Sequence, residues 1–263
     1  MQVLEQVMQL VRDVAAREVM PRFLRVGKSR KDDGTLFTEA DLACQEELQR
    51  RLPAILPHPV LGEEMERDEQ DALWTANRDG LWVVDPIDGT TNFVNGLPYF
   101  AISVGLVVGG RSELGVIYNP VSDEMFYARR GQGAWLNGHR LPLKTINNCM
   151  GDAIASVEVK YLRSGKLAAR IGSVAPCGSQ RNMGSSTLDW CFLAAGRYDL
   201  YLHGGQRLWD YAAGAVIAEE AGACLASLNT DDYWSDVVWK RSVIGAITPE
   251  LFSQWHRWVR ANQ

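Results

Sequence analysis

Val3, Val7, Leu10, Val11 and Val14 recur at three- and four-residue intervals. That is the period of one helical face, so the chain opens on an amphipathic helix that ends or kinks at Pro21. Residues 27–37 are polar, basic and glycine-containing and read as a turn or loose hairpin. A second helix is predicted from Thr38 to Leu52. Thr38 suits its N-cap, Asp41 three residues on completes a capping-box-like pair, and Pro53, Pro57 and Pro59 are expected to end it. The uniformly apolar run Leu81–Val84 reads as a buried strand. Strands then follow at Phe100–Val108, Glu113–Tyr118 and Met125–Arg129. The spacers between and after them, Gly109-Gly110, Asn119-Pro120 and Gly131-Gln132-Gly133, have turn chemistry, so this stretch is an antiparallel meander.

The texture changes after about residue 145. Ala153–Val159 and Tyr198–Leu202 read as strands. Ser186–Ala195, Trp209–Ala221 and Pro249–Ala261 read as helices, the last with Leu251, Phe252, Trp255 and Val259 on one face. Alternating strands and helices imply a layered α/β half. The expected organisation is an α+β N-terminal subdomain over 1–145 and an α/β subdomain over 146–263. Their shared cleft is the default place for a site.

Lys plus Arg number 27 and Asp plus Glu 32, a net charge of −5. That balance makes direct nucleic-acid binding an unpromising role. The longest apolar stretch, around Tyr99–Val108, is far short of the roughly 20 residues of a membrane span. Five widely spaced cysteines without a CxxC pair argue for reduced thiols and a cytoplasmic protein rather than a disulfide framework.

The densest chemical signal is Asp85-Pro86-Ile87-Asp88-Gly89-Thr90 at the end of a buried strand. A carboxylate there is expensive unless it is paired or binds a metal. Pro86 stiffens the turn, Gly89 permits close backbone approach, and Thr90-Thr91-Asn92 can open a helix whose free N–H groups suit phosphate. Hard oxygen ligands of this kind suit Mg²⁺. An ordinary Asp-rich turn, with Asp88 as an N-cap, is the plainer alternative. Upstream, Gly62-Glu63-Glu64 can add a carboxylate, and the acidic stretch after it reads as solvated charge. Downstream, Asp210 falls in the first turn of a helix, where the dipole favours an acid for purely structural reasons. The small residues Ala212, Ala213 and Gly214 imply close packing against another element. Gly27-Lys28-Ser29 lacks the first glycine of a P-loop, Gly131-Gln132-Gly133 lacks the last glycine of GxGxxG, and the four histidines show no metal-ligand spacing.

Taken together, these residues resemble the inositol monophosphatase family of Mg²⁺-dependent phosphatases. The resemblance is carried by Trp82–Phe93 and by Trp209-Asp210-Tyr211-Ala212-Ala213-Gly214. It also rests on Lys31-x-Asp33-Gly34, Thr38-Glu39-Ala40-Asp41, Gly62-Glu63-Glu64, Gly131–Gly138 and Gly184-Ser185-Ser186, all in the family's order along essentially the whole chain. It implies an alternating αβαβα sandwich, a homodimer, two Mg²⁺ ions with room for a third, and inhibition by lithium. Carried over, Glu63, Asp85 and the Ile87 carbonyl are ligands of the first metal, and Asp85, Asp88 and Asp210 of the second. Gly89 and Thr90 form the phosphate loop, and Asp88, Gly184, Ser185 and Ser186 contact substrate. Thr90 with Asp41 orients and deprotonates the attacking water. Asp41 is also the capping residue, and one side chain filling both roles is an evident tension.

One departure bears on specificity. Family members that prefer inositol phosphate carry a Glu seven residues before the second-signature Asp; here that residue is His203. The expected function is hydrolysis of a small phosphorylated polyol or related metabolite. Histidinol phosphate, a sugar phosphate or a nucleotide-derived phosphate are alternatives, as is a mainly protein-binding, transcription-associated role.

Overall fold

The computed structural model describes residues 2–25, 29–30, 36–162 and 165–263. Helix α1 (Gln2–Val14) buries Leu4, Val7, Leu10, Val11 and Val14, the face expected from their spacing. A π turn (Ala15–Val19) and a 3₁₀ turn (Met20–Arg22) continue it, with Pro21 in the first turn of the latter, where its missing N–H is harmless. Strands β1 (Ser29–Arg30) and β2 (Leu36–Phe37) pair antiparallel; residues 27, 28 and 31–35 of the expected turn, with the Lys31-x-Asp33-Gly34 motif, lie outside the described residues. Helix α2 (Glu39–Ile55) starts at the Thr38 cap and runs past Pro53, ending before Pro57.

The first sheet contains β3 (Val60–Gly62), β4 (Leu81–Asp88), β5 (Ala101–Val108), β6 (Arg111–Asn119), β7 (Glu124–Arg129), β8 (Ala134–Leu136) and β9 (His139–Arg140), adjacent in that order. Only the β3–β4 pair is parallel; the rest is the meander read from the turns. Helix α3 (Arg67–Ala76), on the stretch read as solvated charge, joins β3 to β4, and the short α4 (Thr90–Asn95) follows β4. The second sheet is built from β10 (Ile154–Glu158), β11 (Ser179–Arg181), β12 (Leu200–Gln206), β13 (Cys224–Ala226) and β14 (Arg241–Ala246), in the order β11-β10-β12-β14-β13. Its helices are α5 (Lys166–Val174), α6 (Ser186–Ala194), α7 (Leu208–Glu220) and α8 (Pro249–Asn262).

Strand β4 shows how the layers stack. Trp82 and Val84 pack with Leu10, Val14 and Leu48 of α1 and α2, whereas Leu81 and Val83 belong to the core shared with α6, α7 and the second sheet. A strand buried on both faces reads as an unbroken apolar run, which is how Leu81–Val84 stands in the sequence. The outer layer on the second sheet is α8, whose Trp255 indole N–H donates to the Tyr201 carbonyl at 3.1 Å. The result is the expected αβαβα sandwich.

Helix α7 approaches the first sheet at backbone contact. A Cβ on Gly115 would lie 2.4 Å from the Ala213 carbonyl oxygen, and one on Gly105 3.0 Å from the Ala212 carbonyl carbon. Gly214 faces the other way, onto Trp190 of α6. The small residues of α7 therefore let a helix from the second half seat directly on the sheet of the first.

Candidate metal and phosphate site

A break in β4 assembles the site. Asp85 pairs with Ser103 and Asp88 with Ala101, so three steps along β4 oppose two along β5. The break falls at Pro86, which has no N–H for the ladder. In an unbroken strand, residues three apart face opposite sides. The extra residue turns Asp88 to the side of Asp85, where Asp210, three residues into α7 from its cap, meets both. Carboxylate oxygens of Asp85, Asp88 and Asp210 lie within 4.8 Å of one another.

Neither carboxylate oxygen of Asp85 has a hydrogen-bond partner, and the residue is 1% exposed. Burial pushes the Asp85 carboxyl well up from its ordinary value, and the neighbouring carboxylates of Glu63, Asp88 and Asp210 push it further. Asp210 is raised by burial and then by Asp88, with the Arg207 backbone N–H donating to its Oδ2 at 2.8 Å in partial compensation. Asp88 is raised by burial and held down by donors: the Ser185 hydroxyl at 2.6 Å, the Thr187 N–H at 2.6 Å and the Thr187 hydroxyl at 2.7 Å all reach its Oδ2. Three acids this close, one buried and two half-buried, with Asp85 and Asp210 raised by their acidic neighbours, could hold a cation. Asp85, Asp88 and Asp210 would hold it, and the all-oxygen donor set fits Mg²⁺.

The phosphate side is built on Gly89 and Gly184, both at positive φ (91° and 80°). A Cβ on Gly89 would lie 3.0 Å from the Tyr99 carbonyl oxygen and 3.3 Å from that of Gly184, so glycine is required on both conformational and steric grounds. Asn92 ties the two turns together, its side-chain amide donating to the carbonyls of Tyr99 and Met183 at 2.7 Å each. Ser185 caps α6, accepting from the Leu188 N–H, while its own hydroxyl donates to Asp88.

The tension over Asp41 resolves at the level of single atoms. Its Oδ2 accepts from the Thr38 N–H at 2.8 Å and the Thr38 hydroxyl at 2.6 Å, which forms the cap. Its Oδ1 faces the Thr90 hydroxyl at 3.4 Å. That hydroxyl also lies 3.0 Å from the Ile87 carbonyl oxygen. Burial is the largest influence on the Asp41 carboxyl and raises it to about 6, against the Thr38 hydrogen bonds.

The model of the inositol monophosphatase family matches residues 1–261. The chain belongs to this family. It is 36% identical over 203 residues to the Nus factor SuhB of Pasteurella multocida, covering 76% of this chain and 74% of that one. It is 34% identical over 228 residues to inositol monophosphatase 1 of Solanum lycopersicum, covering 82% and 79%. Among solved structures, the Thermotoga maritima IMPase superposes with a TM-score of 0.82 at 28% identity, over 99% of this chain and 97% of that one.

Against the expectations for an inositol monophosphatase family member, Asp85, Asp88 and Asp210 converge, and Asp41, Thr90 and the Ile87 carbonyl form a second group beside Asp85. Glu63 follows β3, its N–H on the Val84 carbonyl at 3.3 Å, and its charge reaches Asp85 and Asp210. Its carboxylate is not in the tight group of three.

His203, the departure from the family's Glu, is a buried ring. It is 3% exposed, stacked on Tyr161 with centroids 4.9 Å apart, and its Nδ1 accepts from the Gly205 N–H at 3.1 Å. Burial, then the Lys160 charge, pushes it down to about 3, so the ring is neutral. The cause is its place inside β12, paired with Glu158 on one side and Val243 on the other.

Sequence reasoning missed the supports: Thr187, Asn92, Gln45 and Gln70. The last two hold the Gly62–Glu64 turn, Gln45 by accepting from the Glu64 N–H at 2.8 Å and Gln70 by donating to the Gly62 carbonyl at 2.9 Å. The signal available for Gln70 was a single amide in a run of charges.

Proposed function

We propose that this chain is a Mg²⁺-dependent phosphomonoesterase acting on a small phosphorylated metabolite. The observation that carries it is the buried Asp85 carboxylate, which lacks a donor on either oxygen and shares its space with Asp88 and Asp210. Removing a charge from water without a partner costs several kcal/mol, and a bound cation is the compensation the donor set fits. Mg²⁺, when bound, supplies Lewis-acid charge at phosphorus and at the leaving oxygen, and a water of lowered pKa.

The protein's own groups complete the chemistry. Glu63 and the Thr90–Asp41 pair orient the attacking water, and Asp41, through the Oδ1 that faces the Thr90 hydroxyl, takes the proton passed along that hydroxyl. Gly89 and Thr90 receive the phosphate, and Ser185 and Thr187 fix Asp88 beside it. The carboxylates exclude an anionic substrate until cations reverse the local sign. A screen of phosphomonoesters with Mg²⁺ and in excess chelator tests the proposal: Mg²⁺-dependent release of inorganic phosphate supports it, and hydrolysis unaffected by chelator refutes it.

The relatives called Nus factor SuhB favour a second reading, a protein-binding role in transcription. The two are compatible on one fold. They separate experimentally, because Asp88→Asn should remove hydrolysis and leave a protein contact intact.

A further inference from the structure

Three large apolar side chains stand open on segments linked to the acidic cluster: Val159, Tyr161 and Met183 are 41%, 47% and 44% exposed. They sit on two segments that the fold ties to the site. The Asn182 amide donates to Glu158 at 3.1 Å, and Glu158 is paired with His203 across β10 and β12. Met183 gives its carbonyl to Asn92, and the residues just after it, Gly184–Thr187, carry the donors to Asp88. The segments that carry these side chains are therefore hydrogen-bonded or joined in chain to those that fix Asp88.

Of the three, Tyr161 is the one with a built support. One ring face rests on His203, 28° from parallel. Beneath it, Gly204 approaches so closely that a Cβ would lie 2.3 Å from the Tyr161 carbonyl oxygen. The Gly205 N–H fixes the His203 ring in turn. The support is a neutral aromatic ring with one nitrogen already used, so it offers a polyol little to bind. What reaches solvent is the edge and free surface of a tyrosine, with the exposed Lys160 ammonium 5.2 Å from the ring centroid. Such a surface favours another ring, electron-rich enough to tolerate a nearby cation.

We infer that Tyr161 is the specificity-determining residue of this site, and that its preferred substrates are phosphomonoesters whose alcohol part carries an aromatic ring. This rests on the phosphomonoesterase reading above and narrows its substrate class; His203 acts by positioning the Tyr161 ring.

The test compares phenyl phosphate with glycerol 2-phosphate in Mg²⁺, for the unmodified protein, Tyr161→Ala and Tyr161→Phe. The unmodified protein should favour phenyl phosphate in kcat/KM. The ratio of the two kcat/KM values should fall about tenfold in Tyr161→Ala, the scale of one aromatic stacking contact, and be retained in Tyr161→Phe. A ratio unchanged in Tyr161→Ala, or a preference for glycerol 2-phosphate in the unmodified protein, overturns the inference while leaving the phosphomonoesterase reading intact. If neither ester is hydrolysed, that reading fails instead. Equilibrium binding of phenylphosphonate against methylphosphonate with Mg²⁺ then decides the inference: a phenyl preference lost in Tyr161→Ala sustains it, and equal affinities overturn it.

Discussion

Replacing Asp85 by Asn should make the metal-free protein more stable and nearly abolish its stabilisation by Mg²⁺. Asp85 is buried with neither oxygen partnered, among the carboxylates of Glu63, Asp88 and Asp210, and its carboxyl is raised well above the ordinary 3.8. The folded chain therefore binds a proton that the unfolded chain releases. By linkage, the stability of the metal-free protein falls as pH rises through about 4, the unfolded value. At pH 7 the ceiling on this penalty is about 4 kcal/mol, three pH units at about 1.4 kcal/mol each. An isosteric amide has no charge to lose, and its N–H groups can donate to the surrounding carboxylates. Mg²⁺ acts in the opposite sense: at one hundred times its dissociation constant it stabilises by about 2.7 kcal/mol. For a chain of this size that raises Tm by roughly 5 °C. The assay is thermal unfolding of both proteins at pH 7, in chelator and across a Mg²⁺ titration. Asp85→Asn should melt higher than the unmodified protein in chelator and shift little with Mg²⁺. A variant that melts lower in chelator, or that gains the full Mg²⁺ shift, would refute the claim that Asp85 lacks a partner other than a cation.

Asp88→Asn should lower Mg²⁺-dependent turnover by orders of magnitude with the fold retained, as steady-state kinetics and circular dichroism would show; full activity would remove Asp88 from the metal site. Because the Asp41 carboxyl stands at about 6 and must be ionised to accept a proton from Thr90, kcat/KM should fall as pH drops below that value. Asp41→Asn should lose that limb of the pH profile along with most of its activity; an acid limb that persists unchanged would assign it to another group. Millimolar lithium should inhibit uncompetitively, as the family implies, by occupying the Asp88–Asp210 side and trapping product; kinetics insensitive to lithium would show that side to be different here. Gly115→Ala, which forces a Cβ against the Ala213 carbonyl, should destabilise by about 1–3 kcal/mol in denaturant titration, and wild-type stability would show that α7 can shift.

Much of this was legible in the sequence because local chemistry and fold agree. The α1 spacing, the Thr38–Asp41 cap, the meander turns and the small residues of α7 each state their own surroundings. The order of motifs along the chain marked the acids. Asp85 and Asp88 could be named, but their convergence could not be seen, since it depends on a bulge whose register is set by β5. Glu66–Asp71 read as solvated because its exposed face outnumbers Gln70, the one fully buried residue of α3. The burial of His203 was hidden for a similar reason. Nothing near it in sequence announces that Tyr161, on a different strand connection, will cover it.

The three acids of the proposed cation site arrive by different routes: two from a strand in the first sheet, one from the first turn of the helix that follows β12 of the second. The seat of that helix is a backbone contact on Gly105 and Gly115. A binding site made this way exists only in the finished molecule, and neither half of the chain alone can present it. Cation binding is thus a report on assembly. A cation bound there would favour the completed fold over any opened one, so that tolerance of heat and tenure of metal would become the same property.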